Sequence, residues 1–238
     1  YGRKSCDYSN ASLLFLTPGE SINIDHNELL RRKGRLLAFH PDLLSRTSLD
    51  WHIEDYTFFF YKPDEALHLS LREKSKIIDC QHNIAEELEH AIDNHSKTLI
   101  SRHIELLLDY CTRFYERQFI TRCEANKSLI RQTNILLDEY IQSGKLKKGI
   151  SPSAEYCADK LHLSSQYFND LLYFETGEDI DEYFQLKQLE AAKTMLLEQG
   201  CTAGAVAERL GYPNVQQFRH IFKMNTGIAP DDYKLAQN

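Results

Sequence analysis

The sequence predicts an α+β chain: a mainly β N-terminal part, a helical middle, and an all-α C-terminal domain built on a duplicated helix-turn-helix. Three observations predict it. Short β-type runs bounded by turn residues fill positions 1 to about 70. Apolar residues then recur at helical spacing as far as about residue 142. Near the C-terminus a whole apolar pattern occurs twice, about fifty positions apart. Ala154, Cys157, Ala158 and Leu161 return as Ala203, Val206, Ala207 and Leu210, and Phe168, Leu171 and Leu172 return as Phe218, Ile221 and Phe222. Thr176-Gly177 returns as Thr226-Gly227, and Asp181-Glu182-Tyr183 as Asp231-Asp232-Tyr233. Chance seldom reproduces so long a pattern, so the repeat outranks any single motif.

Taken in order, Ser12 to Thr17 is an apolar run closed by Pro18-Gly19, and Ile22 and Ile24 alternate with polar residues. Leu36 to Phe39, Tyr56 to Tyr61 and Ala66 to Leu69 complete the set of expected strands. Ser70 and Glu73 have capping-box spacing, and the helix they open is expected to bury Ile77, Ile78, Ile84, Leu88, Ala91 and Ile92. A second helix is expected over about 98–122, burying Ile100, Ile104, Leu107, Leu108, Cys111, Phe114 and Tyr115. A third runs over 126–142, before a Gly/Lys/Pro/Ser linker over 143–153. The expected domains are therefore 1–70, 71–125 and 126–238.

Within the last of these, two helix-turn-helix units fall at about 153–177 and 203–227. A linker helix at about 180–198 joins them, with Tyr183, Leu186, Leu189, Ala192 and Leu196 on its apolar side. In each unit the i, i+3, i+4, i+7 spacing puts small apolar residues on one face of a short first helix. Gly211 suits a left-handed turn position, and its counterpart His162 tolerates one better than most residues. Ser164 and Asn214 are natural N-caps for the second helices. Burying Phe168, Leu171 and Leu172, or Phe218, Ile221 and Phe222, leaves Gln166, Tyr167, Asn169 and Asp170, or Val215, Gln216, Arg219 and His220, pointing outward. A rigid linker would hold two such helices about 34 Å apart, the spacing of successive major grooves.

From Ser151 onward the chain resembles the DNA-binding domain of AraC/XylS-type bacterial transcription regulators. The resemblance is carried by Leu163-Ser164-Ser165-Gln166-Tyr167-Phe168, Phe174-Glu175-Thr176-Gly177 and Ala207-Glu208-Arg209-Leu210-Gly211-Tyr212. Phe218-Arg219-His220-Ile221-Phe222-Lys223 and Thr226-Gly227-Ile228-Ala229-Pro230-Asp231-Asp232-Tyr233 extend it. It implies that Gln166, Asn169 and Asp170 of the first unit, and Val215, Gln216 and Arg219 of the second, touch base edges, with His220 adjacent. Their chemistry suits this in part. Gln and Asn pair with adenine, Arg with guanine, and Val packs on a thymine methyl, whereas Asp170 accepts only from cytosine and repels phosphate.

The resemblance also implies double-stranded promoter DNA as partner, an effector-responsive regulator that more often activates, and contact with RNA polymerase. The strands of 1–70 resemble, more weakly, the C-terminal part of a cupin-like sensor barrel. Seventy residues are few for a whole barrel, so part of it is expected upstream of Tyr1. The helical pair after such a barrel often mediates dimers in the family, which implies a homodimer here, against the alternative that the pair packs only on its own barrel. The small-molecule effector is unknown.

Charge and composition set limits on these readings. The chain carries a formal charge of −7. From Ser151 on there are 7 Lys and Arg against 13 Asp and Glu, a net of −6. That is a poor footprint for a DNA binder, since much of the affinity comes from neutralised phosphates. Lys145, Lys147 and Lys148 just upstream add positive charge, as do helix N-termini.

No run of 18 apolar residues occurs and no signal peptide is visible, so a cytoplasmic protein that does not span a membrane is expected. Six cysteines without a C-x-x-C pair read as buried thiols. His26, His40, His52 and His68 match no metal-ligand spacing, and no cofactor is expected. The aromatic run Tyr56, Phe58, Phe59, Phe60 and Tyr61, with Trp51 nearby, reads more readily as a buried strand than as an effector pocket. No nucleophile motif or phosphate loop supports an enzyme. The alternative to a regulator is a protein-interaction or ligand-binding module whose DNA contacts have degenerated.

Overall fold

The computed structural model describes residues 10–21, 34–198 and 200–237. The expectations for Cys6, Ile22, Ile24 and His26 lie outside the described residues. The chain divides into two compact units, Tyr1–Cys123 and Glu124–Asn238.

In the first unit, β1 (Ala11–Leu13) pairs antiparallel with β2 (Leu67–Leu69), with Ser12 opposite His68. The other edge of β2 is met by a side chain instead of a strand. Buried Gln118 accepts from His68 N at 2.8 Å and donates to Ala66 O at 3.1 Å, so the orphan backbone groups are satisfied. Two long helices, α1 (Leu71–Glu89) and α2 (Ser96–Thr121), pack on each other and on β2. The capping box at the start of α1 forms as expected, and Glu73 also takes both Nε and Nη2 of Arg117 at 3.0 Å. Strand segment and helices share one hydrophobic core, which includes Leu49, Phe58, Leu67, Ile84, Ile104 and Cys111.

The expected barrel is not seen among the described residues, whose sheet has only these two three-residue strands. Leu36 to Phe39 carries no strand, and Tyr56 to Tyr61 forms a 3-10 turn over Thr57–Phe60. With no neighbour strand among the described residues, that backbone bonds to itself, Phe59 N to Tyr56 O and Tyr61 N to Phe58 O, both at 3.3 Å. Its rings still enter the core: Phe58 stacks on Tyr115 with centroids 5.5 Å apart and packs at a tilt against Phe15 at 4.4 Å. Helix α1 stops before Ala91 and Ile92, and both Leu88 and Ile92 are exposed. The cause is local. The Asp93 carboxylate accepts from His95 N and Ser96 N at 2.7 and 2.9 Å, turning the chain into α2 at the cost of a longer α1.

Apart from its first residue, α3 (Cys123–Gln142) lies in the second unit, which also holds a 3-10 turn at Lys145–Lys148 and six further helices. These are α4 (Ala154–Leu161), α5 (Ser165–Thr176), α6 (Ile180–Leu197), α7 (Ala203–Arg209), α8 (Val215–Thr226) and α9 (Pro230–Gln237). Helix α3 belongs to this core: Tyr140 packs edge-on against Tyr156 and Phe184, and Tyr183 donates its hydroxyl to Asn134 Oδ1 at 2.7 Å. In α6 the buried set is Ile180, Phe184, Leu189, Ala192, Met195 and Leu196, while Leu186 is 44% exposed. The helix touches α5, α7 and α9, so its burial wraps around the axis instead of following one stripe.

Candidate nucleic-acid interface

Each half of the repeat folds into a short helix, a tight turn and a twelve-residue helix, and the two halves use the same hydrogen bonds. Ser153 and Thr202 cap α4 and α7, accepting from Tyr156 N and Ala205 N at 3.2 Å. The turns close through Leu163 N to Ala158 O and Tyr212 N to Ala207 O, both at 2.9 Å. The turn residues His162 and Gly211 sit at φ 60° and 76°. Ser164 and Asn214 then cap α5 and α8, accepting from Tyr167 N at 3.2 Å and Gln217 N at 2.8 Å. At the far ends, Thr176 and Thr226 each donate a hydroxyl to the carbonyl four residues back at 2.7 Å, and Gly177 and Gly227 terminate the helices with positive φ.

The repeat is thus one stereochemical unit made twice. The second copy has one extra turn residue, so that Gln166, Asn169 and Asp170 on α5 correspond to Gln216, Arg219 and His220 on α8. Spacing of i, i+3 and i+4 puts each trio on one face, opposite buried Phe168, Leu171 and Leu172, or Phe218 and Phe222. Gln166, Asn169, Asp170 and Val215 are half-buried, and Gln216, Arg219 and His220 are exposed. Two side chains depart from expectation. Tyr167 is 3% exposed, because a ring at the margin of the apolar face is withdrawn from water, whereas its counterpart Gln217 stays exposed. Ile221, expected in the core, is half-buried, and with Leu186, Glu178 and Glu182 it lines a shallow cleft between α6 and α8.

Carboxylates already engage several of the polar groups on this face. Arg219 Nη2 lies 2.8 Å from Asp231 Oδ2, and Gln166 Nε2 is 3.5 Å from Asp170 Oδ1. The sequence placed Asp231 in the repeat but gave no sign that it meets Arg219, since the pairing depends on how α9 folds back against α8. Linker helix α6 is tied to the second unit by Gln188 Nε2, which donates to Leu210 O at 3.0 Å.

The other candidate residues serve local structure. His40 Nδ1 accepts from Asp42 N, His52 pairs with Glu105 at 2.9 Å, and buried His68 Nδ1 is 2.9 Å from the Ser12 hydroxyl. Among the described residues no group of three His, Cys, Asp or Glu is placed to hold a metal. Nor is any described helix long and apolar enough to cross a membrane. Cys80, Cys111 and Cys157 are buried free thiols. Burial pushes all three thiols up, Cys157 to about 11.

A family model described as a helix-turn-helix domain matches residues 157–236. Over 73 residues the chain is 33% identical to an uncharacterized HTH-type transcriptional regulator, YobQ, of Bacillus subtilis strain 168, covering 31% of this chain and 30% of that one. Over 79 residues it is 32% identical to the HTH-type transcriptional regulator Rv1931c of Mycobacterium tuberculosis, covering 33% and 30%. The chain therefore matches less than a third of the length of either relative. Among solved structures, the C-terminal domain of the two-component response regulator yesN of Fusobacterium nucleatum is 26% identical, over 42% of this chain and 94% of that one, with a TM-score of 0.33. The family match and the duplicated capped turns described above agree on a helix-turn-helix domain over residues 157–236.

Proposed function

We propose that the chain is a sequence-specific DNA-binding transcription regulator in which α5 and α8 read base edges in successive major grooves. The observation that carries this reading is the repeat itself. Two second helices, with matching turns and caps, each present a polar trio opposite a buried aromatic face. In the first unit Gln166 and Asn169 suit adenine and Asp170 suits cytosine. In the second, Gln216 suits adenine, Arg219 guanine and Val215 a thymine methyl, with His220 beside them. The unit Tyr1–Cys123 carries the regulatory input, as the site of effector recognition or of self-association. The regulator acts at promoters, as an activator beside RNA polymerase.

A second reading is favoured by one observation, the excess of carboxylates from Ser151 onward. It makes the chain an interaction module that has lost DNA contact. A titration of the full chain against the duplex flanking its own gene, at two salt concentrations, separates the two. The regulator gives saturable, sequence-dependent binding that weakens as salt rises. Absence of binding even at low salt would overturn it and leave the interaction module.

A further inference from the structure

We propose that the turn Lys145–Lys148 is a DNA-phosphate clamp, outside the matched region 157–236, that serves both helix-turn-helix units at once. The proposal rests on the DNA-binding reading and adds a site to it.

The backbone of this turn is fixed. Gly144 and Gly149 bracket it with φ of 74° and 70°, and Leu146 between them is 3% exposed. Leu146 packs against Gly211, the turn glycine of the second unit, so closely that a Cβ there would overlap the Leu146 carbonyl. Tyr140 also donates its hydroxyl to Ile150 O at 3.2 Å, holding the downstream side.

The lysines divide between the two units. The Lys145 ammonium lies 5.1 Å from the centre of the Tyr140 ring and 5.2 Å from that of Tyr156, and Tyr156 belongs to α4. The Lys147 ammonium lies 3.3 Å from Glu208 Oε1 on α7. Lys148 is exposed beside them. Helices α4 and α7 are the first helices of their units, and the first helix of a helix-turn-helix is the one that crosses the phosphate backbone. The turn therefore brings Lys145 and Lys147 to the two places where backbone crossing is expected, with Lys148 next to them in the chain.

Charge points the same way. Residues 124–238 hold 12 Lys and Arg against 16 Asp and Glu, and Lys145, Lys147 and Lys148 form the densest positive run among them. Arg219, Arg209 and Lys187 are each within 4 Å of a carboxylate. Glu208, the partner of Lys147, is 73% exposed at its side chain, so a phosphate can replace it in water. The lysine turn thus adds sequence-independent attraction to a helix-turn-helix region whose net charge is negative.

The test is a salt titration of full-length protein on its specific duplex, comparing wild type with Lys147→Gln/Lys148→Gln, a variant that leaves Lys145 on its rings. The expected result is a plot of log K against log salt shallower by about 2, with base-pair preference unchanged. Glu208→Gln should tighten binding a few-fold at low salt, and Lys147→Gln should abolish that gain. An unchanged slope in the double variant overturns the clamp while leaving the DNA-binding reading intact. Loss of base-pair preference along with the slope assigns the lysines to folding and also overturns it. Failure of the wild type to bind any duplex overturns the DNA-binding reading and, with it, the clamp.

Discussion

Arg219 Nη2 lies 2.8 Å from Asp231 Oδ2, so the guanidinium expected to read a guanine on α8 is already held by the first turn of α9. Both side chains are about half exposed, at 49% and 59%, and an ion pair in such surroundings contributes under about 1 kcal/mol. A bidentate contact to guanine, at about 1–3 kcal/mol of discrimination, would exceed that and displace the carboxylate. Arg219→Ala is therefore expected to weaken binding and to relax preference at one base pair. Asp231→Asn is expected to tighten binding a few-fold at low salt, and the gain should vanish in the Arg219→Ala background. Competition titrations against single-base-pair variants of the site check both; an equal gain with and without Arg219 would mean that Asp231 acts only through its general charge.

Gln166 occupies on α5 the place that Gln216 occupies on α8. Its replacement by Ala should cost about 1–3 kcal/mol at one adenine, in a position about one helical turn of DNA from the base pair relaxed by Arg219→Ala. Asp170, 3.5 Å from the Gln166 amide, repels phosphate unless a cytosine amino group meets it. Asp170→Asn should then raise affinity for unrelated duplexes more than for the specific one. The same competition assay reads both effects, and loss of preference at overlapping base pairs would contradict two separate reading heads.

The C-terminal repeat could be read from the sequence because its signals are local: helix periodicity, Ser and Asn before a helix, Gly or His at the turn, Thr-Gly at the end. The N-terminal part could not. Tyr56 to Tyr61 has strand composition, but whether such a run forms a strand depends on a partner strand, and its composition carries no information about that. Gln118 completing the edge of β2 from fifty residues away, and Asp231 reaching Arg219, are tertiary contacts between polar residues, which leave no periodic trace. Tyr167 and Ile221 differ from the sequence expectation for a related reason. Both sit at the margin of an apolar face, where side-chain size and the neighbouring helix decide exposure.

The cleft between α6 and α8 predicts a pH response. Glu178 is pushed above the usual carboxylate range, first by its hydrogen bond with Glu182, then by desolvation and by the charges of Glu182 and Asp179. A carboxyl that binds its proton more tightly when folded stabilises the fold while protonated. That stabilisation is lost as pH rises through its folded-state value. Glu178→Gln, which cannot ionise, should therefore raise Tm relative to wild type at neutral pH, and the difference should shrink as pH falls into the carboxylate range. Thermal denaturation at a series of pH values measures it; a difference that does not vary with pH would show that the two carboxyls do not share a proton.

Gly211 predicts the sharpest stability effect in the second unit. At φ 76° any L side chain is strained, by about 1–2 kcal/mol, and here the added Cβ would also meet the Leu146 carbonyl. Gly227 has φ 80° but open space around its Cβ position. Gly227→Ala should thus cost only the conformational strain, about 1 kcal/mol, with DNA preference kept. Gly211→Ala should cost clearly more, because relieving the overlap means moving either the turn of the second unit or the lysine turn packed on it. If the lysine turn moves, the salt dependence of DNA binding should fall along with stability, whereas Gly227→Ala leaves it unchanged. Chemical denaturation and salt titration of the two variants side by side decide the matter: equal stability losses would mean that the Leu146 contact yields freely, and that Gly211 is needed only for its backbone angle.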